Sequence, residues 1–246
     1  MTGSAAYGEH WAEVYDEWFG QLDDTEYAVA VLAELADGRE ALEIGPGTGR
    51  LTLPLARTGI EVTAVEASPS MARKLRDKVV DEPIRVVDGD AAVIQLAELG
   101  PAVGFGLVYL SCNTLFQLCT QESQVDCIAR AAEALRPDGV LVVEASVPDV
   151  ALLHAGSKHG VRQVGADRVA ITQVRADVAT QRQVTTTVVL DGGPPTVLPV
   201  VERYISPAEL DLMSRLGGLG LSERWSGWEG RPFDSRSTGH VSVYSR

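Results

Sequence analysis

ALEIGPGTGR, residues 41–50, decides the fold. An apolar run reaches Glu43-Ile44 and breaks at Gly45-Pro46-Gly47-Thr48-Gly49. The pattern then becomes helical in TGRLTLPLARTG. Glycines at such a break let the backbone turn sharply and let a ligand come into contact with it. The helix that follows opens with unpaired N–H groups. A glycine-rich turn means little alone, but this one leaves a strand, opens a helix and has an acid at the end of the next strand.

Working outward, apolar runs recur as EVTAVEA (61–67), IRVVDGD (84–90), VGFGLVYLS (103–111) and GVLVVEAS (139–146). They are near-continuous rather than alternating, as in strands covered on both faces. Between them lie SPSMARKLRDKVV, a short AAVIQLAEL, and ESQVDCIARAAEALRPDG, a helical pattern expected to stop at Pro137–Gly139. Strand–helix alternation predicts a parallel sheet with right-handed crossovers. After Ser146 the pattern changes. VRQVGADRVAITQVRA, QRQVTTTVVLD and TVLPVVERYIS read as antiparallel strands, with a turn at Asp191-Gly192-Gly193-Pro194. SPAELDLMSRLG carries a capping-box pattern, Ser206 with Glu209, and opens a helix. Strands near LSERWSGW and HVSVYSR close the chain. Residues 1–38 read as helical and aromatic-rich.

Three strand ends carry chemistry. Glu66 can accept from both hydroxyls of a ribose, and Asp90 can accept from an exocyclic amine such as that of adenine. Glu43 would repel a pyrophosphate and suits a cationic amino group. A nicotinamide dehydrogenase is the main alternative for such a sheet, but its GxGxxG fingerprint is absent. Here the spacing is GxGxG, with Arg50 in place of the third glycine.

The ordered set EIGPGTGR, VTAVEAS, GDAA, LVYLSCNTL and LRPDGVLVVE resembles class I S-adenosylmethionine-dependent methyltransferases over about residues 38–146. Within that class the chain resembles small-molecule enzymes of natural-product pathways, including aminosugar N,N-dimethyltransferases, in its YDEWF front helix and its antiparallel insertion. The resemblance implies an α/β Rossmann-like fold. A mostly parallel seven-stranded sheet would carry helices on both faces, an N-terminal helical lid and an antiparallel β insertion after the fifth strand. The corresponding divisions are a lid at 1–38, a cofactor-binding core at 39–146, an insertion at 147–205 that roofs the substrate pocket, and a closing helix and strands at 206–246.

The resemblance also implies S-adenosyl-L-methionine as cofactor, with Glu43 and the Gly45, Gly47 and Gly49 backbone around its methionine part. Glu66 would hold the ribose, Ala67 would pack near the adenine, and Asp90 with the Ala91 backbone would read the adenine edge. The carbonyl around Leu110–Ser111 would meet the amino group, and Tyr15 would cover the cofactor. Gly104-Phe105-Gly106-Leu107 departs from the family, whose fourth strand carries an acid after its aromatic. Pro46 makes the turn stiffer than glycine-richer versions.

The expected reaction is methyl transfer to an O or N atom of a small, largely apolar metabolite; the alternative is a cofactor-binding relative that catalyses a cyclisation-like step. Candidate catalytic residues are His10, His154 and Asn113, with His159, Glu144 and His240 as further possible bases. Tyr7, Trp11 and Trp18 would form an apolar lid, and Arg203 and Tyr204 are possible acceptor contacts. A net charge of −13 disfavours nucleic acid and anionic membranes as partners. No run of 18 apolar residues predicts a membrane span, and no metal site is expected. Cys112, Cys119 and Cys127 lack CxxC spacing and predict reduced thiols in a cytoplasmic protein. The expected partner is a small-molecule acceptor, and the expected state is a monomer or homodimer.

Overall fold

The computed structural model describes residues 4–19, 22–164 and 167–246. A seven-stranded sheet is built from β1 (Ala41–Ile44), β2 (Val62–Glu66), β3 (Ile84–Asp88), β4 (Phe105–Leu110), β5 (Leu135–Ser146), β10 (Gly220–Trp225) and β11 (Gly239–Ser245). Its order is β10-β11-β5-β4-β1-β2-β3. The first five strands run parallel, and β11 pairs antiparallel with both β5 and β10. Every residue of β1, β2 and β4 is buried. That is why those runs show no polar alternation.

The two faces are covered by different helices. Val108 and Leu110 of β4 pack with α6 (Gln121–Ala134) and α8 (Pro207–Leu216). Leu107 and Tyr109 point the other way, toward α3 (Thr25–Ala36) and α4 (Thr52–Arg57). Helix starts follow local chemistry. Ser68 caps α5 (Pro69–Lys78) by accepting from the Met71 N–H, and Thr120 caps α6 through the Ser123 N–H. At α8, Ser206 accepts from the Glu209 N–H, but the Glu209 carboxylate turns to Arg203, Gln181 and Gln121. Only half of the capping box therefore forms.

Helix α6 ends at Ala134, short of the expected stop, because Leu135 is already extended and pairs with Phe105. Arg136 precedes Pro137, a position that disfavours helical dihedrals. Gly104 has φ +87 and sits so near this chain that a Cβ would lie 2.5 Å from the Arg136 nitrogen. The stretch read as helical at 91–99 contracts to a 3-10 turn at Leu96–Leu99.

A second, four-stranded antiparallel sheet, β6-β7-β8-β9, holds β6 (Ser157–Gln163), β7 (Val169–Asp177), β8 (Arg182–Leu190) and β9 (Thr196–Arg203). It follows β5 after a short helix, α7 (Val150–Ala155), that sequence reading missed. The front helices α1 (Ser4–Trp11) and α2 (Tyr15–Phe19) bridge the two sheets. Trp11 and Ala12 join Met71 of α5 and Val189 and Leu198 of the small sheet in one buried cluster. Among the described residues no helix is long and apolar enough to cross a membrane, and no group of three His, Cys, Asp or Glu could hold a metal.

Candidate active site

The carboxyl ends of β1, β2 and β4 open into a cavity of about 510 Å³, floored by the seven-stranded sheet and walled by α1, α2 and the small sheet. This lies within the range of small-molecule pockets. Gly45 and Gly47 line it in left-handed conformations, φ +71 and +59. At Gly45 a Cβ would strike the Thr114 side chain at 2.4 Å; at Gly47 it would meet only the Tyr15 ring, at 3.7 Å. Gly49 stands elsewhere. It has φ +94, and its added Cβ would collide with Leu75 at 2.5 Å, so helix packing rather than the cavity demands glycine there.

Glu66 is 8% exposed and lines the cavity. One carboxylate oxygen accepts the Gly47 N–H at 2.9 Å and the other the Ser68 N–H at 2.8 Å. The Ala67 N–H is a third backbone donor to this carboxylate, so of its four lone-pair positions three are engaged and one is left for a ligand. Burial raises its pKa, against those backbone donors. Glu43, 1% exposed, receives the Thr52 and Tyr109 hydroxyls on a single oxygen, Oε2. Desolvation outweighs both bonds and pushes its pKa up to about 7. Ala67, Asp90, Ala91 and Ser111 also line the cavity, and the Asp90 carboxylate accepts from the Ala92 N–H at 2.9 Å.

Tyr7, Trp11, Tyr15 and Trp18 form the aromatic wall. Trp11 stacks on Tyr7 and meets Trp18 edge-on. Polar contacts tie this wall to α5 and the β1 loop. Glu9 accepts from the Ser68 and Ser70 hydroxyls, Lys78 pairs with Asp16 at 2.7 Å, and Lys74 pairs with Glu13 at 3.4 Å. Asp16 also accepts from the Thr48 hydroxyl, while Lys78 donates to the Thr48 carbonyl at 2.9 Å. Exposed ion pairs contribute at most about 1 kcal/mol each. Burial of the aromatic cluster does more than these pairs to hold α1 and α2 down.

Past β4 the chain makes a strained turn. Cys112 and Asn113 both have positive φ, +50 and +61. Glu144 of β5 accepts the Cys112 N–H, Asn113 exchanges two hydrogen bonds with Ser146, and Arg50 donates to the Cys112 sulfur while pairing with Asp24. Burial pushes the Cys112 thiol up to about 11, which leaves it protonated and unreactive near neutrality.

Of the candidate catalytic residues, only Asn113 lines the cavity. His10 is exposed and bonded to the Ala6 carbonyl, and His154 is exposed on α7; neither is brought to the glycine turn. His159 is exposed on β6. His240 is buried, with Nδ1 on Ser242, and it lines a smaller pocket of about 130 Å³ beside Glu144. Arg203 and Tyr204 do not reach the cavity. Arg203 is locked between Gln124, Gln181 and Glu209, and Tyr204 is core. The small sheet instead presents Arg162, Thr172, Thr185, Thr187 and Glu202, none of which sequence reading singled out.

Residues 41–139 match the model of the methyltransferase domain family. The chain is 36% identical to the CcbJ methyltransferase from Streptomyces caelestis, with TM-score 0.89 over 98% of each chain. It is 28% identical, over the full length of both, to the cypemycin N-terminal methyltransferase of a Streptomyces species. The fold also matches that of CalS10, an amino pentose methyltransferase from Micromonospora echinaspora solved with S-adenosylmethionine bound. That match has TM-score 0.70 and 19% identity and covers 95% of this chain and 97% of CalS10.

Proposed function

We propose that this chain, which belongs to the S-adenosylmethionine-dependent methyltransferases, transfers a methyl group to a nitrogen or oxygen atom of a small natural-product acceptor. The observation that carries the reading is the Glu66–Gly47 pair: a buried carboxylate, held by backbone N–H groups and lining a cavity beside a glycine turn. The site fits the cofactor on its own terms. A Cβ at Gly47 would enter the space between the turn and Tyr15, and the acids at three strand ends match a ribose, an amino-purine and an ammonium.

In this reading Glu66 holds the ribose hydroxyls, and Asp90, with Ala91 and Ala67, frames the adenine. The free oxygen of Glu43 and the Ser111 carbonyl receive the amino group, and the Gly45 and Gly47 backbone lines the methionine part. The cofactor, when bound, supplies an activated methyl on a sulfonium sulfur. What remains for the protein is position and dryness. Tyr15 and its aromatic neighbours close the cavity over the glycine turn, which excludes water, and Asn113 holds the wall past β4 in place through its paired bonds to Ser146. A neutral amine needs little further help, whereas a hydroxyl needs a base.

Cypemycin's N-terminus and an amino pentose, the acceptors named for two of the similar proteins, are both amine-bearing natural products, which supports an acceptor of that kind. Calorimetry with S-adenosylhomocysteine, followed by tritiated-methyl incorporation into candidate acceptors, tests the proposal. Failure to bind the homocysteine product would end it.

A further inference from the structure

The small sheet turns one face into the cavity. Alternation along β9 puts Leu198, Val200 and Glu202 on the same side, and the register sets Leu198 opposite Thr187 and Val200 opposite Thr185. Thr187 faces Thr172 across the next ladder, with their hydroxyls 3.2 Å apart. These threonines, Val200 and Glu202 all line the cavity, across from the strand ends that carry Glu43, Glu66 and Asp90.

Glu202 is the anomaly. Its carboxylate accepts from the neutral Gln117 side chain, at 3.1 Å. Burial alone pushes its pKa up to about 7, with no cation among the described residues offsetting it. Two arginines line the cavity, and both are engaged elsewhere: Arg50 pairs with Asp24, and Arg162 lies over the Trp18 ring at 5.2 Å. Arg162 also stands in the register row of Thr196, six residues along β9 from Glu202, or roughly 20 Å. Tyr7 of α1 and Cys119, just past the Thr114–Gln117 turn, are the titratable groups that feel the charge, and neither supplies a positive one. Tyr7 feels Glu66 as well, so Glu202 sits within electrostatic reach of a residue that also borders the nucleoside side. A half-buried carboxylate, open to a cavity and without a counter-ion among the described residues, is suited to a cation that arrives from outside.

Resting on the methyl-transfer reading above, the geometry points to Glu202 as the anchor of the acceptor's amino group, with the Thr172, Thr185 and Thr187 row receiving hydroxyl or amide groups on the same molecule. The acceptor is therefore a polar amine rather than a largely apolar metabolite. Its ammonium gives one N–H proton to the Glu202 carboxylate. The freed lone pair forms the N–C bond as the methyl C–S bond breaks, and that bond's electrons leave on sulfur as a neutral thioether. The proton on Glu202 then passes to solvent.

The test uses tritiated S-adenosylmethionine with a panel of aminosugars and free-amine dipeptides, each beside its N-acetylated form, and measures S-adenosylhomocysteine affinity in parallel. Wild type should methylate free amines and leave the acetylated forms untouched. Glu202→Gln should lose about 100-fold in kcat/KM, as when one partner of a buried charge pair is removed, while Glu202→Asp recovers part of it. Both variants should bind S-adenosylhomocysteine as wild type does, which separates an acceptor role from loss of fold. Equal turnover by wild type and Glu202→Gln, or transfer to the acetylated forms, overturns the anchor and leaves the methyltransferase reading standing. Binding of S-adenosylhomocysteine with no transfer by wild type to any panel amine overturns the amine assignment itself.

Discussion

Replacing Glu43 with Gln removes one charge and almost no volume. Oε2 takes both the Thr52 and the Tyr109 hydroxyl, and a glutamine oxygen can accept both as well. What changes is the cost of ionisation in a dry site. Burial raises this carboxyl from 4.5 to about 7. Between those values the folded chain holds a proton that the unfolded chain has released. The group's stabilising contribution is therefore complete below pH 4.5 and is lost as pH rises through 7. At 1.36 kcal/mol per pH unit the shift amounts to about 3 kcal/mol. The ligand-free Glu43→Gln protein should therefore gain up to about 3 kcal/mol over wild type between about pH 5 and about pH 8. Urea unfolding at half-unit steps of pH measures this. Glu144 and Glu202, also raised, and His240, lowered to about 4, titrate in both proteins and cancel in the difference, which then reports Glu43 together with its coupling to Glu66. The same substitution should weaken S-adenosylhomocysteine about ten- to a hundredfold, the value of one hydrogen bond to a charged group. Parallel stability curves would refute the desolvation argument, and an unchanged affinity would remove Glu43 from the ligand's amino group.

Glu66→Ala should weaken S-adenosylhomocysteine binding by about 100-fold or more in calorimetry. It deletes two charge-assisted acceptors and also strands the Gly47 and Ser68 N–H groups; wild-type affinity would mean the carboxylate only braces the turn. Arg203→Ala should cost about 3–5 kcal/mol in urea unfolding, since it leaves buried Gln124 and ion-paired Glu209 without their partner. The folded fraction should still bind S-adenosylhomocysteine, because Arg203 lies outside the cavity. Loss of binding without loss of stability would contradict that placement.

The strand-end side of the cavity was readable because its determinants are local. Gly45, Gly47, Glu66 and Asp90 each sit at the end of an apolar run or a few residues past it, and a parallel sheet delivers every such position to the same edge. Gly49 shows the limit of that reasoning. It belongs to the same motif, yet its glycine is required by Leu75, a helix away in sequence. The histidines show another limit: four of them scatter over the chain with no local sign of which faces inward, and among the candidate bases the structure leaves His10, His154 and His159 in solvent.

On the small sheet the expectation for Arg203 missed the cavity by a single residue, and Tyr204 lies past the end of β9 in the core. In VVERYIS the expectation fell on Arg203 and Tyr204, whereas the cavity receives Glu202. Neighbouring residues of a strand point to opposite faces, so a one-residue error exchanges the cavity-facing set for the set behind it. The parallel strands escape this because both of their faces are buried and the chemistry lies at and beyond their ends. In β9 the burial is partial and uneven along the strand, so polar residues occur on both faces and the alternation carries no label. The label comes from outside the strand. Gln124 of α6 and Glu209 of α8 claim Arg203 from behind, while Gln117 meets Glu202 on the other side. All three partners are distant in sequence or reached only through the fold. The small-sheet wall of the cavity is therefore set by long-range pairings, the part of the chain that a linear reading resolves last.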